Sequence, residues 1–211
     1  MRLRKIKQAD VKLTAFFDIV ILGGEQNRGH WQDVFANNHP IYLEIGMGKG
    51  QFISEHARRH PDINYIGLEK YDSIVLKAAQ RLEKEFLPNL RLLRADAKNL
   101  ELIFQPGEIT TIFLNFSDPW PKERHAKRRL TFDNFLRTYE QILSRPGIIE
   151  LKTDNRHLFE YSLLKFNEHG YRLLAINLHL HEQANPDVIT TEYEDKFINE
   201  NKIIYYMKVE L

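Results

Sequence analysis

The 211-residue chain has no cysteine. That removes disulfides, thiolate nucleophiles, Cys-ligated zinc and iron–sulfur clusters together. A reducing compartment requires none of these, so the cytoplasm is the expected location. Long apolar runs are also missing: no stretch nears the ~20 residues of a helical membrane span, and no membrane partner is expected. The basic start "MRLRKIK" before "LTAFFDIVIL" has the outline of a secretory leader, but Asp18 interrupts the run and no small-residue cleavage site follows. A strong net charge is absent too. The balance is only +1, so any preference for a polyanion must come from how the charge is laid out. His179 and His181 alternate in an apolar run with no third ligand in view; they read as surface residues, and no metal is expected.

What is present reads as a folded protein. A hydrophobic content of 43% with 28% charged residues excludes disorder, and the length suits one α/β domain. After an N-terminal arm over residues 1–40, apolar runs alternate with amphipathic ones. Strands are expected at 41–46, 64–69, 90–96, 109–116 and 147–153. Helices are expected at 51–60, 72–86 (capped by Asp72 or Ser73), 131–144 and 155–170, with a short one at 100–104. The run "ITTIFLNF" is β-branched and nearly continuous, as a parallel strand buried on both faces should be. Two late strands, 171–180 and 202–211, have no helical pattern between them and read as an antiparallel edge pair. The fold class is α/β: a doubly wound, mostly parallel seven-stranded sheet with an antiparallel last strand, in one domain with its core at 41–211. Such sheets bind ligands beyond the carboxyl ends of their strands.

The first of these ends is "LEIGMGKGQF", with Gly46, Gly48 and Gly50 between strand and helix. Glycines here permit positive φ and close approach of a ligand. A dinucleotide fingerprint would need a glycine where Gln51 stands. Glu44, two residues before the loop, would repel a pyrophosphate and suits a cationic group. Glu69 ends the second strand, nineteen residues after Gly50, where an acid can hold a ribose diol. Asp96 ends the third, within reach of an adenine edge in such a fold. Each acid alone reads equally as a solvated strand end or a helix cap. Together they describe a nucleoside site without phosphate, which fits S-adenosylmethionine.

"SDPWPKERHAKRR" (117–129) follows the fourth strand. Pro119 and Pro121 restrict φ and bias their neighbours to extended geometry, holding Asp118 and Trp120 with little freedom. The same letters also read as a turn starter with a core tryptophan. Lys122 to Arg129 hold five Lys/Arg against one Glu, plus His125. This is either a solvated face or a contact for a polyanion, of which structured RNA is the natural candidate. "ELKTDN" sets Lys152, Thr153 and Asp154 at the end of the fifth strand, with a cap for 155–170 as the bland reading. In "TTEYEDKF", Tyr193 either stacks on a base or plugs the edge hairpin.

From "LEIGMGKG", "NYIGLEK", "LNFSDPWPKERHAKRRL", "ELKTDN" and "TEYE", over roughly Ile41 to Leu211, the chain resembles bacterial tRNA (guanine-N7-)-methyltransferases. These are class I enzymes with a Rossmann-like fold that use S-adenosylmethionine. The resemblance implies methylation of N7 of a tRNA guanine, guanine 46 of the variable loop. It implies that Glu44, Glu69, Asp96 and Asp118 contact the methyl donor around the Gly46, Gly48 and Gly50 loop, with Asp118 as the active-site acid. Lys122, Asp154, Thr191, Glu192, Tyr193 and Glu194 would contact the substrate, and Arg124, His125, Lys127, Arg128 and Arg129 the RNA. Family members often carry an early Lys-Pro-Trp where this chain reads "RKIKQAD", so no RNA contact is assigned to the arm. Methylation of an exocyclic base amine and a non-catalytic RNA-binding module are the alternatives; monomer and homodimer both remain open.

Overall fold

In the computed structural model, residues 5–183 and 185–211 are described; the first residues of "MRLRKIK" lie outside them. The chain forms two compact units, divided between Phe104 and Gln105.

The first unit carries four parallel strands, β1 (Val20–Leu22), β2 (Ile41–Ile45), β3 (Asn64–Glu69) and β4 (Leu90–Arg94), in the order β1-β4-β3-β2. Its helices are α1 (Ala9–Leu13), α2 (Trp31–Phe35), α3 (Gln51–Arg59), α4 (Asp72–Leu82) and α5 (Leu100–Ile103). Parallel pairing covers strands on both faces, and β3 is buried at every position. Its polar first residue, Asn64, is satisfied there: Nδ2 donates to Asn37 Oδ1 at 2.7 Å. Buried Asn89 donates to the carbonyls of Ala57, His60 and Ile63 and so ties the end of α3 to the strands it precedes. In α3, Phe52, Ile53 and Ala57 face the core, while His56, Arg58 and Arg59 fill the last turn, where the helix dipole favours cations.

Two expectations change here. The sequence pattern gives residues 1–40 no element, yet β1 pairs with β4, Val20 level with Leu92. Trp31 is wholly buried, its Nε1 donating to Ile103 O at 3.1 Å and its ring 5.3 Å from that of Phe104. A three-residue strand is too short to show a period of two. Neither Asp72 nor Ser73 caps α4; Tyr71 holds that place without a side-chain bond. Asp72 instead accepts from Arg94 Nε at 2.6 Å, and Ser73 Oγ accepts from Ile6 N.

The second unit carries β5 (Ile109–Asn115), β6 (Leu143–Thr153), β7 (Arg172–Asn177) and β8 (Tyr205–Glu210), in the order β5-β6-β8-β7. β5 and β6 are parallel; β8 runs antiparallel to both β6 and β7. Among the described residues this makes eight strands, β1 being the one beyond expectation. Helices α6 (Asp133–Ile142) and α7 (Arg156–Glu168) flank β6 in sequence. α7 is capped by Asn155, whose Oδ1 accepts from Leu158 N at 2.8 Å, and is followed by Gly170 at φ 76°. β6 starts earlier than "GIIELKT" suggests. Pro146-Gly147 sits where the β5–β6 register shifts, a place that tolerates proline. The late segment is also not strand alone. Helix α8 (Glu192–Asn199) lies between β7 and β8, and β7 ends before His179 and His181, so those two do not alternate in a strand.

Gly67 in β3 is the tightest glycine of the first unit. A Cβ there would lie 2.4 Å from Met47 Sδ and 3.2 Å from both Met47 Cβ and Ile53 Cγ2. Gly67→Ala is expected to destabilise the protein by about 1–3 kcal/mol through overpacking. The check is a lower urea midpoint at an unchanged m-value.

Candidate active site

In the first unit the predicted donor-site residues gather at one edge. β4, β3 and β2 are adjacent and parallel, so their carboxyl ends lie together. Glu44 is level with Gly67, and Glu69 stands two residues beyond it. Residues i and i+2 of a strand share a face, so Glu44, Gly67 and Glu69 line the same side. Glu44 is 1% exposed. Glu69 is buried too, and its Oε1 accepts from the amides of Lys70 and Tyr71 at 2.8 and 3.1 Å, which fixes the plane of its carboxylate.

The connecting loop is built by its glycines. Gly46, Gly48 and Gly50 adopt φ of 85°, 58° and 80°, a region closed to most L-residues. A Cβ at Gly46 or Gly48 would meet nothing within 4 Å, so there is open room above the loop. The loop is held down by the amides of Gly46 and Met47, which both donate to Leu68 O at 2.8 and 3.1 Å. The Met47 side chain packs against Gly67, on the acids' side of the sheet.

Asp96, two residues past β4, caps the 3₁₀ turn Ala97–Asn99 by accepting from Lys98 N at 3.1 Å. It also pairs with Lys70 Nζ at 2.7 Å. Burial pushes its carboxyl up, but Lys70 and the Lys98 amide outweigh this and hold it below the usual carboxylate range. Lys70, in turn, is raised by Asp96. No local pattern signals this pairing, because the two residues are 26 positions apart.

In the second unit β5 runs directly into a strained loop. Phe116 and Trp120 take φ of 49° and 40°, a left-handed conformation that costs a bulky residue roughly 1–2 kcal/mol. Asp118 is exposed between them. Lys122 precedes a 3₁₀ helix, Glu123–Arg128, so the basic strip is a helical surface rather than a loop. With three residues per turn, i and i+3 eclipse. His125 and Arg128 thus share one side and meet Trp120: the His125 ring stands edge-on at 5.8 Å, and the Arg128 guanidinium lies 4.7 Å over the indole. Arg124 and Lys127 share another side and are exposed.

Arg129 leaves this strip. It is 2% exposed. Its Nε donates to the carbonyls of Pro119 and Trp120 at 3.2 and 3.3 Å, its Nη2 to Trp120 O at 3.0 Å, and its guanidinium covers the Tyr161 ring at 4.3 Å. So placed, Arg129 is engaged within the protein, whereas Arg124, Lys127 and Arg128 face solvent.

The end of β6 is tied to the segment before β8. Asp154 is half-buried and does not cap α7, that role being Asn155's. Lys152 turns inward: Nζ donates to Ile189 O at 2.8 Å and to both oxygens of Glu194 at 3.1 and 3.2 Å. Glu194, fully buried, also lies 2.6 Å from His181 Nε2. It closes a capping box with Thr191: Glu194 N donates to Thr191 Oγ1, and Thr191 N to Glu194 Oε2. Thr191 and Glu194 therefore build the first turn of α8. Glu192 is half-buried. Tyr193 is 51% exposed with its ring 6.0 Å from Phe197, so it does not plug the hairpin. His181 is no surface residue. The T-x-x-E spacing of Thr191 and Glu194 is the signal that reveals this helix in the sequence. Among the described residues, no group of three or more His, Cys, Asp or Glu is placed to hold a metal, and no helix is long and apolar enough to cross a membrane.

Glycine loop, successive acids and parallel strands define a class, and solved structures agree. The chain resembles the 16S rRNA methyltransferase KamB, with a TM-score of 0.65 at 14% identity over 87% of this chain and 93% of that one. The 16S rRNA (adenine(1408)-N1)-methyltransferase from Catenulisporales acidiphilia, solved with its cosubstrate SAM, gives 0.62 at 11% identity, covering 86% and 90%. The fold is that of a Rossmann-like methyltransferase. A family model described as "Putative methyltransferase" matches residues 38–207. Sequence relatives are more specific. The tRNA (guanine-N(7)-)-methyltransferase of Geobacillus thermodenitrificans is 49% identical over 97% of this chain and 95% of its own. That of Bacillus subtilis is 47% identical over 100% and 99%. The chain belongs to the tRNA (guanine-N(7)-)-methyltransferase family.

The Lys152–Glu194 pair generates a stability test. Lys152→Met leaves the Glu194 carboxylate buried without its cation and is expected to cost about 3 kcal/mol. Lys152→Met with Glu194→Gln removes both charges yet keeps an acceptor for the cap, and should recover most of that loss in urea unfolding.

Proposed function

We propose that this protein transfers the methyl group of S-adenosylmethionine to N7 of a guanine in tRNA, guanine 46 of the variable loop. The observation that carries the reading is 47–49% identity, over nearly the whole length of both chains, to enzymes named tRNA (guanine-N(7)-)-methyltransferase. The first unit fits the donor. Its loop leaves room above Gly46 and Gly48, and its acids suit a nucleoside better than a phosphate ester. Glu69, its carboxylate plane set by two amides, is matched to the ribose diol. Buried Glu44 suits a cationic amino acid moiety, and Asp96 the amino edge of adenine.

S-adenosylmethionine supplies an electrophilic sulfonium methyl. The acceptor, guanine N7, has an in-plane lone pair and no proton, so the protein need not supply a strong base. What the protein must supply is alignment, and the rigid loop around Asp118 and Trp120 suits that need. The guanine ring gains positive charge as the methyl arrives, so a carboxylate stabilises the transition state more than the substrate. Opposite unit charges about 5 Å apart, at an effective dielectric of ~20, attract by roughly 3 kcal/mol. Asp118 and Asp154 are assigned this role, with the guanine N1–H and amino edge as their hydrogen-bond partners. Lys122, Arg124, Lys127 and Arg128 are assigned to the phosphates, and exposed Tyr193 to the substrate. Arg129, Thr191 and Glu194 act through the elements they build.

Nucleoside analysis of tRNA treated with the purified protein and labelled SAM is expected to show 7-methylguanosine alone. Label in adenosine, in an exocyclic amine, or nowhere would refute the reading. Asp118→Asn should reduce kcat about 100-fold, in line with a lost charge interaction of ~3 kcal/mol, while tRNA affinity is kept. Loss of both would point to a folding role instead.

A further inference from the structure

Arg129 is a buried cation held by carbonyls and a ring, set in a strip whose neighbouring cations face solvent, and its position next to a strained tryptophan explains why. Trp120 stands at φ 40°, a conformation that persists only where surrounding groups impose it. The carbonyls of Pro119 and Trp120 converge there, and carbonyls turned inward need donors. One guanidinium serves both, through Nε and Nη2, at 3.0 to 3.3 Å. Its plane is held in turn by the Tyr161 ring, 4.3 Å away, on α7. Next to Tyr161, Ser162 and Thr131 share a buried hydrogen bond of 2.8 Å that joins α7 to the segment following Arg129.

We infer that Arg129 is a positioning residue of the methyl-transfer site. It fixes the peptide on each side of Trp120, and through it the directions of Asp118 and of the indole on which Arg128 rests. This rests on the function proposed above. Two adjacent arginines thereby take different roles. Arg128 faces solvent and is available to RNA, whereas Arg129 acts on the loop. Lysine cannot replace Arg129, because one ammonium lacks the planar fork that spans two carbonyls and covers a ring.

The test compares Arg129→Lys and Arg129→Met with Arg128→Ala in the full chain. Both Arg129 variants should bind tRNA with wild-type affinity and salt slope, yet lose about 100-fold in kcat, the scale of a small misplacement of reacting groups. Arg128→Ala should flatten the salt slope by about one. Iodide quenching supplies a readout independent of substrate. The chain has two tryptophans and Trp31 is wholly buried, so the quenchable emission belongs to Trp120 and should change in both Arg129 variants. A salt slope flattened by about one with kcat intact would overturn the inference, as would unaltered quenching with full turnover. Should the Met variant fail to fold, the Lys variant decides. If wild-type protein does not methylate tRNA, the proposed function fails, while quenching still shows whether Arg129 holds the loop.

Discussion

A single carbonyl, that of Leu68, organises the first unit. It accepts from the amides of both Gly46 and Met47, so the glycine loop cannot lift from the strand beside it. Everything above depends on that attachment. Met47 lies flat because Gly67 has no side chain, and Glu44 and Glu69 keep one face because their strands stay in register. The N-terminus of α3 takes its place from Gly50. The glycines of the loop and the glycine of β3 thus solve different problems. Those of the loop allow a backbone conformation; Gly67 gives up volume so that another residue can occupy it.

Charge is used in two opposite ways in the second unit. Arg124, Lys127 and Arg128 are exposed, so any attraction they exert on an anion is weakened by salt. Arg129 and Lys152 are withdrawn from water and held by fixed partners: carbonyls and a ring for one, the Glu194 carboxylate and a carbonyl for the other. Buried cations of this kind add little net stability compared with apolar residues of equal volume. What they add is geometry, since each spans segments that apolar contacts alone would leave free to slide. The Lys152 carbonyl extends this on the backbone side by accepting from Phe116 N at 2.8 Å, which ties the start of the strained loop to β6.

The parts legible in the sequence were those with a period or a fixed spacing. The β2–β4 alternation, the glycine loop and the acids at three strand ends could be read directly, as could the antiparallel pairing of the last strands. The rest failed for identifiable reasons. β1 is too short to show alternation, and Trp31 is buried by partners about seventy residues away. Thr191 and Glu194 look like polar loop residues unless their spacing is read as a cap. Arg129 looks like its neighbours because composition cannot show which of two adjacent arginines turns inward. Burial of a charge is a tertiary fact, fixed here by Trp120 and Tyr161 and by no local pattern.

The capping box of α8 carries a further consequence. Glu194 both closes the first turn of its helix and neutralises Lys152, forty-two positions earlier. Unwinding that turn would therefore strand a cation inside the protein. Opening of the last helix and exposure of the β6 end must then occur as one event, not as independent fraying. An eight-residue helix, too short to hold itself together in water, is coupled through one carboxylate to the strand that carries Lys152.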